Sequence, residues 1–390
     1  MVYIVEGART AFGTFGGMFK DVSDIDLAVT AVKGALERSN VDAKEVEEII
    51  IGNIIQTSTS SPYLSRHIGL HSGLTNESRA LTLNRLCGSG MQSIVSGAQS
   101  ILLGDADIIV AGGTENMTQA PRLLHDTRFG TPNKAPRMDD MLWGTLTDNY
   151  IGCGMGVTAE NLAEQYDISR EEQDAYAFDS HKKATAAVQS GRLAKEIVPV
   201  VVQTRKGEVV LDKDEHIRPE FNLEKIATLR PSFKKDGTVT AANASGINDG
   251  AAAVVLMSEK EVQARGIKPL AKIVAYAVEG VDPNVMGIGP APATRTVLKK
   301  AGLTLEDIDV FEFNEAFSSQ SIAVLKELGV SADKVNVNGG AVALGHPVGA
   351  SGARITYSLA VELQERQAKY GIATLCIGGG QGIAILLERV

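Results

Sequence analysis

Cysteine, tryptophan and long apolar runs are scarce in this chain of 390 residues, which has three cysteines and one tryptophan. Three cysteines cannot form the disulfide framework of a small secreted domain, and so sparse a set fits a reducing compartment. No apolar run approaches the ~20 residues of a membrane-spanning helix. The N-terminus shows neither a secretory nor a transit-peptide pattern. We therefore expect a cytoplasmic protein.

Positive charge is also in short supply, because 38 Lys and Arg face 47 Asp and Glu, for a formal net charge of −9. This balance repels nucleic-acid phosphates and anionic membranes over most of the surface, so we expect neither partner. The cysteines are scattered, and we expect no metal site. An apolar share of 44% is typical of a folded globular protein, and the length predicts two or three hydrophobic cores.

An internal repeat runs through the chain at a constant offset of 262 residues. A helical pattern and strand at 28–51 match a second set at 294–313. Cys87-Gly-Ser-Gly matches Gly349-Ala-Ser-Gly, and each opens a helical pattern followed by an apolar strand that ends in glycines. We expect the first helix to end at Gly104 and the second to end before Gly371.

The two copies differ in the segment that comes after those strands. In the second copy the next strand comes at once and forms a hairpin, whereas in the first copy its equivalent, at 251–257, comes some 130 residues later. The repeat predicts two related α/β halves with a large insertion between adjacent strands of the first half. We place the first half at 1–113 and 247–268, the inserted loop domain at 114–246 and the second half at 269–390.

The insertion has two features of its own. A Ser169-Arg-Glu-Glu172 capping box begins a helix that we expect to end by Gly191. Residues 192–235 carry ten Lys and Arg against seven Asp and Glu. That positive section is either a solvated charged face or a contact for a phosphate-bearing ligand.

Four residues are candidates for chemistry. Cys87 precedes a helix start, where free backbone N–H groups and the helix dipole favour a thiolate. Cys376 lies inside an apolar strand, where a small core residue is the simpler interpretation. Asn314 directly follows a strand, at the edge where open α/β sheets bind ligands. His346 precedes the second helix start, as Cys87 precedes the first, and both a structural and a functional role stay open for it.

Five motifs taken together resemble the thiolases in order and spacing, and the resemblance covers the whole chain. They are Asn84-Arg-Leu-Cys87-Gly-Ser-Gly90, Asn243-Ala-Ser245-Gly-Ile-Asn-Asp-Gly250, Asn314-Glu-Ala-Phe317, Asn338-Gly-Gly-Ala-Val-Ala-Leu-Gly-His346-Pro-Val-Gly-Ala-Ser-Gly352 and Cys376-Ile-Gly-Gly-Gly380.

The resemblance implies a five-layer αβαβα fold and an acyltransferase of fatty acid metabolism. The implied reaction is ping-pong acyl transfer on coenzyme A thioesters, which condenses two acetyl-CoA to acetoacetyl-CoA or cleaves a 3-ketoacyl-CoA. Cys87 would be acylated after His346 takes its proton, and Cys376 would move the α-proton of the second substrate. The N–H groups of Cys87 and Gly378 would form one oxyanion hole, and Asn314, through a water, and His346 would form the other.

The resemblance also implies the substrate path and the assembly. Six residues would line the path of the pantetheine and nucleotide, namely Ser245, Arg218, Leu146, Met155, Ala316 and Phe317. Acetyl-CoA, acyl-CoA and CoA would be substrates, with no tightly bound cofactor. We expect a homodimer or homotetramer, with residues 118–140 as the tetramer-forming loop.

One position departs from the family pattern. Thiolases that are specific for acetyl and acetoacetyl groups often have His-Met-Gly in the loop over the acyl pocket, where this chain has Gly154-Met155-Gly156. The missing imidazole leaves room for longer 3-ketoacyl groups.

Two other functions are compatible with this fold. A related condensing enzyme would lack a second catalytic cysteine, and the Cys376 motif argues against it. An inactive acyl-CoA or lipid-binding protein should have lost Cys87 or His346, and the chain retains both.

Overall fold

The computed structural model describes residues 1–130, 135–205 and 207–390. The helices in this part of the chain are α1 (Asp24–Ser39), α2 (Leu64–His71), α3 (Ser89–Leu103), α4 (Met141–Leu146), α5 (Met155–Gln165), α6 (Arg170–Gln189), α7 (Leu223–Ala227), α8 (Glu259–Arg265), α9 (Pro290–Ala301), α10 (Ser318–Leu328), α11 (Ala341–Leu344) and α12 (Val348–Arg366). The strands are β1 (Val2–Arg9), β2 (Gly13–Thr14), β3 (Glu48–Gly52), β4 (Arg79–Leu83), β5 (Ile108–Asn116), β6 (Arg122–Leu124), β7 (Met138–Asp140), β8 (Thr147–Asp148), β9 (Cys153–Gly154), β10 (Val200–Thr204), β11 (Gly207–Leu211), β12 (Asn248–Ser258), β13 (Ala271–Gly280), β14 (Val310–Phe313), β15 (Tyr370–Ile377) and β16 (Gln381–Arg389).

The main sheet has the same strand order in each half of the chain. Its order is β4-β3-β5-β12-β1-β13-β16-β15-β14, and the halves meet where Tyr3 and Ile4 pair with Lys272 and Ala271. In the first half β3 is parallel to β5, β12 is antiparallel to β5, and β1 is antiparallel to β12. In the second half β14 is parallel to β15, β16 is antiparallel to β15, and β13 is antiparallel to β16. The sequence repeat is therefore a structural repeat.

The insertion leaves and rejoins the first half at adjacent strands. β12 pairs antiparallel with β5 from Asp249 opposite Asn116 to Met257 opposite Ile108, which confirms the predicted neighbours. Within the insertion, α6 begins at the predicted capping box of Ser169 and Glu172. The exact domain boundaries stay a prediction that these pairings support.

Three apolar cores hold five layers of helix and sheet together, and the central core covers both faces of the middle helix layer. The central core packs α3 and α12 between the two halves of the sheet, with Leu256 and Leu375 among its members. One outer core packs α1 and α2 on the first half and includes Val255, which points to the opposite face from Leu256. The other outer core packs α9 and α10 on the second half around Phe311. The predicted αβαβα architecture is confirmed.

The two central helices touch through glycines that are repeat equivalents. A Cβ on Gly90 of α3 would lie 2.7 Å from the backbone nitrogen of Ala353, and a Cβ on Gly352 of α12 would lie 2.4 Å from the backbone nitrogen of Met91. Neither distance leaves room for a side chain. This contact brings together the starts of α3 and α12, where Cys87 and His346 lie.

Both helices end as the sequence predicted, the first at Gly104 and the second before Gly371. Gly104 follows α3 in the left-handed conformation, with φ +81°. After α12 this position is taken by Gln367, with φ +55°, whereas Gly371 lies inside β15 and pairs with Val310. A Cβ on Gly371 would lie 2.6 Å from a methyl group of Leu359, so this glycine is needed for the packing of α12 on the sheet. In the described ranges, no helix is both long enough and apolar enough to cross a membrane.

Candidate active site

Cys87 lies on a tight turn between β4 and α3 that Ser89 stabilises. The Ser89 hydroxyl accepts a hydrogen bond from the Arg85 N–H (2.8 Å) and donates to the Leu86 carbonyl (2.7 Å). Leu86 has φ +45°, a strained conformation for a leucine. The turn brings the Cys87 sulfur to the backbone N–H of Gly378, which hydrogen-bonds to it.

The Cys87 thiol is protonated in this environment. The residue as a whole is half-buried, but the protein around its sulfur removes water, and this burial raises the pKa of the thiol to about 11. The N–H groups of Gly378 and Cys87 lower the pKa, and the negative charge of Glu115 raises it further. The backbone N–H groups favour the thiolate, as expected, but burial outweighs them in the free enzyme. Cys87 needs a base.

His346 is held from both sides of its ring at the start of α12. Nδ1 lies 2.6 Å from the Ser351 hydroxyl, and Nε2 lies 3.3 Å from the Asn314 amide nitrogen. Ser351 donates its one proton to the Pro347 carbonyl (2.9 Å), so it must accept from a protonated Nδ1. That leaves Nε2 unprotonated, with its lone pair directed at the Asn314 amide. The His346 N–H also donates to the Asn248 side chain (3.0 Å).

Burial keeps the imidazole neutral. It lowers the pKa of His346 to about 3, and the positive charge of Arg354 contributes in the same direction. A neutral ring with an unprotonated Nε2 is the form that can accept a proton from a thiol.

Cys376 lies at the end of β15, buried among apolar side chains. Burial raises the pKa of its thiol, and the nearby Cys87 raises it further. This electrostatic coupling shows that the two sulfurs are neighbours, which the chain positions alone did not reveal. Cys376 packs with Met286 and Ala316, and Met155 borders the same cluster.

Asn314 joins the strand end to the histidine. Its N–H donates to the Thr374 carbonyl (3.0 Å), and its side-chain amide meets His346. Its buried side-chain oxygen has no hydrogen-bond partner among the described residues. This free acceptor suits the water that the resemblance assigns to Asn314.

The chain belongs to the thiolase family. The family models described as "Thiolase, N-terminal domain" and "Thiolase, C-terminal domain" match residues 2–260 and 267–389. The chain is 50% identical to the beta-ketothiolase BktB of Cupriavidus necator over all of this chain and 99% of that protein. It is 49% identical to the human mitochondrial 3-ketoacyl-CoA thiolase over 99% of this chain and 98% of that protein.

Solved structures agree with this assignment. A crystal structure of the human mitochondrial 3-ketoacyl-CoA thiolase has a TM-score of 0.98 at 49% identity, and covers 100% of this chain and 99% of that chain. The Bacillus anthracis acetyl-CoA acetyltransferase has a TM-score of 0.97 at 48% identity, with 100% and 98% covered. This protein is thus an acyltransferase with the thiolase fold.

Most of the predicted CoA-contacting residues gather around the two cysteines of this thiolase. The Ser245 N–H donates to the Ala316 carbonyl (3.0 Å), and Met155, Ala316 and Phe317 pack at Cys376. Leu146 packs in a second cluster that also borders Cys87.

Arg218 lies apart from the rest of the predicted set. It lines a separate cavity of about 250 Å³ beside α6, with His181 and Phe221. No described contact joins it to Ser245 or Met155, and its contact with the nucleotide stays a prediction.

A cavity of about 330 Å³ opens beside Gly378. It lies under the segment that contains α4, β8 and β9, and its lining residues are Ile54, Asn84, Leu86, Met141, Gly144, Thr145, Thr147, Asp148, Asn149, Met155, Gly378 and Gly379. A Cβ on Gly154 would meet, within the described structure, just the Leu146 carbonyl oxygen at 3.5 Å.

Sequence reasoning missed several residues that support the site. Ser89 and Ser351 are repeat equivalents, and each ties down the loop before its own helix. The 262-residue offset contained this signal. Asn248 lies inside one of the five motifs, but the motif assigns it no individual role, and nothing in the sequence indicated the contacts of Glu115.

Proposed function

We propose that this protein catalyses ping-pong acyl transfer through Cys87, condensing two acetyl-CoA to acetoacetyl-CoA and CoA or cleaving 3-ketoacyl-CoA in reverse. Relatives named acetyl-CoA acetyltransferase and relatives named 3-ketoacyl-CoA thiolase both support this proposal. A solved structure of the human mitochondrial 3-ketoacyl-CoA thiolase in complex with CoA, 48% identical to this chain with a TM-score of 0.96, supports it as well. The observation that carries the proposal is the Gly378 N–H on the sulfur of Cys87, beside a second buried thiol.

In the first half-reaction, the Cys87 sulfur attacks the thioester carbonyl while Nε2 of His346 takes the thiol proton. The N–H groups that already contact the sulfur, those of Cys87 and Gly378, stabilise the negative oxygen of the tetrahedral intermediate. The bond to the CoA sulfur then breaks, and the proton returns to the departing CoA thiolate. The neutral histidine makes this exchange possible, because a protonated ring could not accept the proton.

In the second half-reaction, the Cys376 thiol gives its proton to Nε2 of His346, and its thiolate removes the α-proton of the second acetyl-CoA. The enolate oxygen is stabilised by the protonated His346 and by a water on Asn314. The α-carbon then attacks the acyl group on Cys87, the thioester bond to Cys87 breaks, and the Cys87 thiolate takes the proton from His346.

We further propose that the acyl pocket accepts chains longer than acetoacetyl. The open space at Gly154 and the cavity beside Gly378 support this. Substrates of such length belong to fatty acid metabolism.

Assembly and location also remain proposals. We propose a cytoplasmic homo-oligomer in which residues 118–140 join dimers into tetramers. Residues 131–134 of that loop lie outside the described residues.

Incubation with acetyl-CoA, followed by intact mass measurement and peptide mapping, tests the proposal. We expect one acetyl group on Cys87 and none on the Cys87→Ala protein, with Cys153→Ala as a matched control that acetylates normally. Acetyl label at the wild-type level on Cys87→Ala would contradict the assignment. Tight binding of acetyl-CoA without any transfer would identify an acyl-CoA-binding protein instead.

A further inference from the structure

Glu115 is a fully buried carboxyl group at the end of β5 that receives four hydrogen bonds. One oxygen accepts from the Ile55 N–H (3.0 Å) and the Asn53 amide (3.3 Å). The other accepts from the Ile54 N–H (3.2 Å) and the Gly349 N–H (3.0 Å). All of these neighbours are donors, so they favour the ionised carboxylate, whereas burial favours the protonated form.

The contact with Gly349 caps the helix that holds the base. Gly349 is the second residue of α12, and the residue before the helix, Pro347, offers no side chain to its free N–H groups. Glu115 takes this role from the other half of the molecule and places negative charge at the positive helix end. Two residues further along α12, Ser351 holds the imidazole of His346.

The contacts with the 53–55 loop reach the other side of the site. Ile54 lines the cavity beside Gly378, together with Leu86 of the Cys87 turn. The charge of Glu115 also acts on the Cys87 thiol, where it raises the pKa. One carboxyl group therefore contacts or influences the wall of the pocket, the base and the nucleophile.

We propose that Glu115 is a positioning residue that fixes the start of α12 to the 53–55 loop and whose negative charge opposes thiolate formation at Cys87 in the free enzyme. The inference rests on the proposed role of Cys87 as nucleophile. Two titratable groups interact with Glu115. The negative charge of Asp24 in α1 raises the pKa of Glu115, and the negative charge of Glu115 raises the pKa of Cys87. Burial raises the pKa of Glu115 to about 8, although its N–H donors lower it. The carboxyl group therefore ionises within a pH range that can be measured.

Removing the charge should change thiol reactivity and turnover in opposite directions. Glu115→Gln removes the charge that opposes the thiolate, so Cys87 should react faster with a small alkylating reagent. The side-chain NH2 group of the glutamine would also face backbone N–H donors that it cannot accept from. We expect this mismatch to shift the start of α12 together with His346, and so to slow turnover. If Glu115 had only a structural role, its replacement would not raise the reactivity of Cys87 without also exposing other parts of the protein.

The test measures the rate of iodoacetamide alkylation of Cys87 by peptide mass spectrometry across a pH series, with the full-length protein. For Glu115→Gln we expect alkylation at least about threefold faster near pH 8, which corresponds to a thiol pKa lowered by about half a unit. Thiolytic kcat should fall at least about tenfold, in the range of a misplaced proton acceptor. Alkylation of Cys153 in the same samples reports any general opening and should not change.

Glu315→Gln is the matched control. Glu315 is also buried and accepts four hydrogen bonds, from Tyr176, Ser180, Asn336 and the Val342 N–H, but its charge is not among those that shift the Cys87 pKa. Alkylation of Cys87 should stay at the wild-type rate in this variant. A Cys87 rate that is unchanged in folded Glu115→Gln, or equally raised in Glu315→Gln, would overturn the proposal.

If Glu115→Gln does not fold, the wild-type protein still decides the question. Its alkylation rate should rise with a slope below one where Glu115 ionises, around pH 8, and a uniform rise through that range would overturn the proposal. Alkylation requires no acyl transfer. Failure of the acetylation experiment would therefore leave this result interpretable, and the two proposals can fail separately.

Discussion

At the scale of residues, the site is built from acids and bases that are neutral at rest. Burial raises the pKa of both thiols and lowers that of His346 to about 3. Charge therefore forms at the moment of proton transfer, inside a pocket where the Gly378 N–H already points at the reacting sulfur. Separating charge in such a place is costly without N–H donors, which supports the oxyanion hole proposed at Cys87.

Replacing Cys87 and replacing Cys376 should abolish different steps of the reaction. Cys376→Ala should still accept an acetyl group on Cys87, because the proposed acylation step uses His346 as its base. It should lose deuterium exchange at the α-carbon of acetyl-CoA by at least about 10²-fold, the usual contribution of a positioned base. Mass spectrometry of the acetyl-enzyme and of recovered acetyl-CoA measures both steps. Normal exchange in Cys376→Ala would mean that another group is the base, and Cys153→Ala should behave as wild type.

The glycine at 154 gives a prediction about chain length. Each methylene that the pocket can bury adds about 0.8 kcal/mol of binding, so kcat/KM for a six-carbon 3-ketoacyl-CoA should at least equal that for acetoacetyl-CoA. Gly154→His should favour the shorter substrate, since the backbone there, with φ −75°, accepts any residue and the space is open. Gly154→Ala is the control and should change the ratio little. Strict acetoacetyl preference in the wild type would show that Leu86, Met91 or Met155 already closes the pocket.

At the scale of elements, the structure depends on a close crossing of α3 and α12. Gly352→Ala would place a methyl group 2.4 Å from the Met91 backbone nitrogen, and neither helix can move without disturbing Cys87 or His346. We expect a loss of about 1–3 kcal/mol in the free energy of unfolding, as for other overpacked sites.

Urea denaturation measures this loss, with Gly144→Ala as the control. Gly144 lies inside α4 with no described atom near its would-be Cβ, so alanine there should stabilise the protein by up to about 1 kcal/mol. Equal stability of Gly352→Ala and wild type would mean that the helices separate easily.

The same elements show what sequence patterns can predict. The offset of 262 residues predicted the halves, the neighbours β5 and β12, and the equivalence of the two helix starts, because each of these depends on local order along the chain. It did not predict that burial would raise the pKa of Cys87, since desolvation depends on what packs around the sulfur. Nor did it predict the role of Gly371, which is required by contact with Leu359, a residue of another element.

At the scale of the whole molecule, apolar side chains remain exposed in places that suggest assembly. The ribbon of β6 and β7 exposes Leu123, Leu124 and Met138, and Phe129 is exposed in the connection between the two strands. Monomeric proteins rarely leave such side chains clustered in water, and closed symmetric oligomers usually cover them. The ribbon lies within residues 118–140, the segment predicted to join dimers.

Light scattering of the intact protein should therefore return a dimer or tetramer at micromolar concentration. Replacing Leu123, Leu124 and Met138 together with serine should lower the measured mass, because the apolar area that drives association is removed while the sheet and the active site are untouched. The hairpin of β10 and β11 offers a matched control, since Val201, Val209 and Val210 are also exposed and their replacement with serine should leave the mass unchanged. A stable wild-type monomer would contradict the assembly itself. A triple-serine ribbon variant that keeps the wild-type mass would instead place the interface elsewhere on the surface.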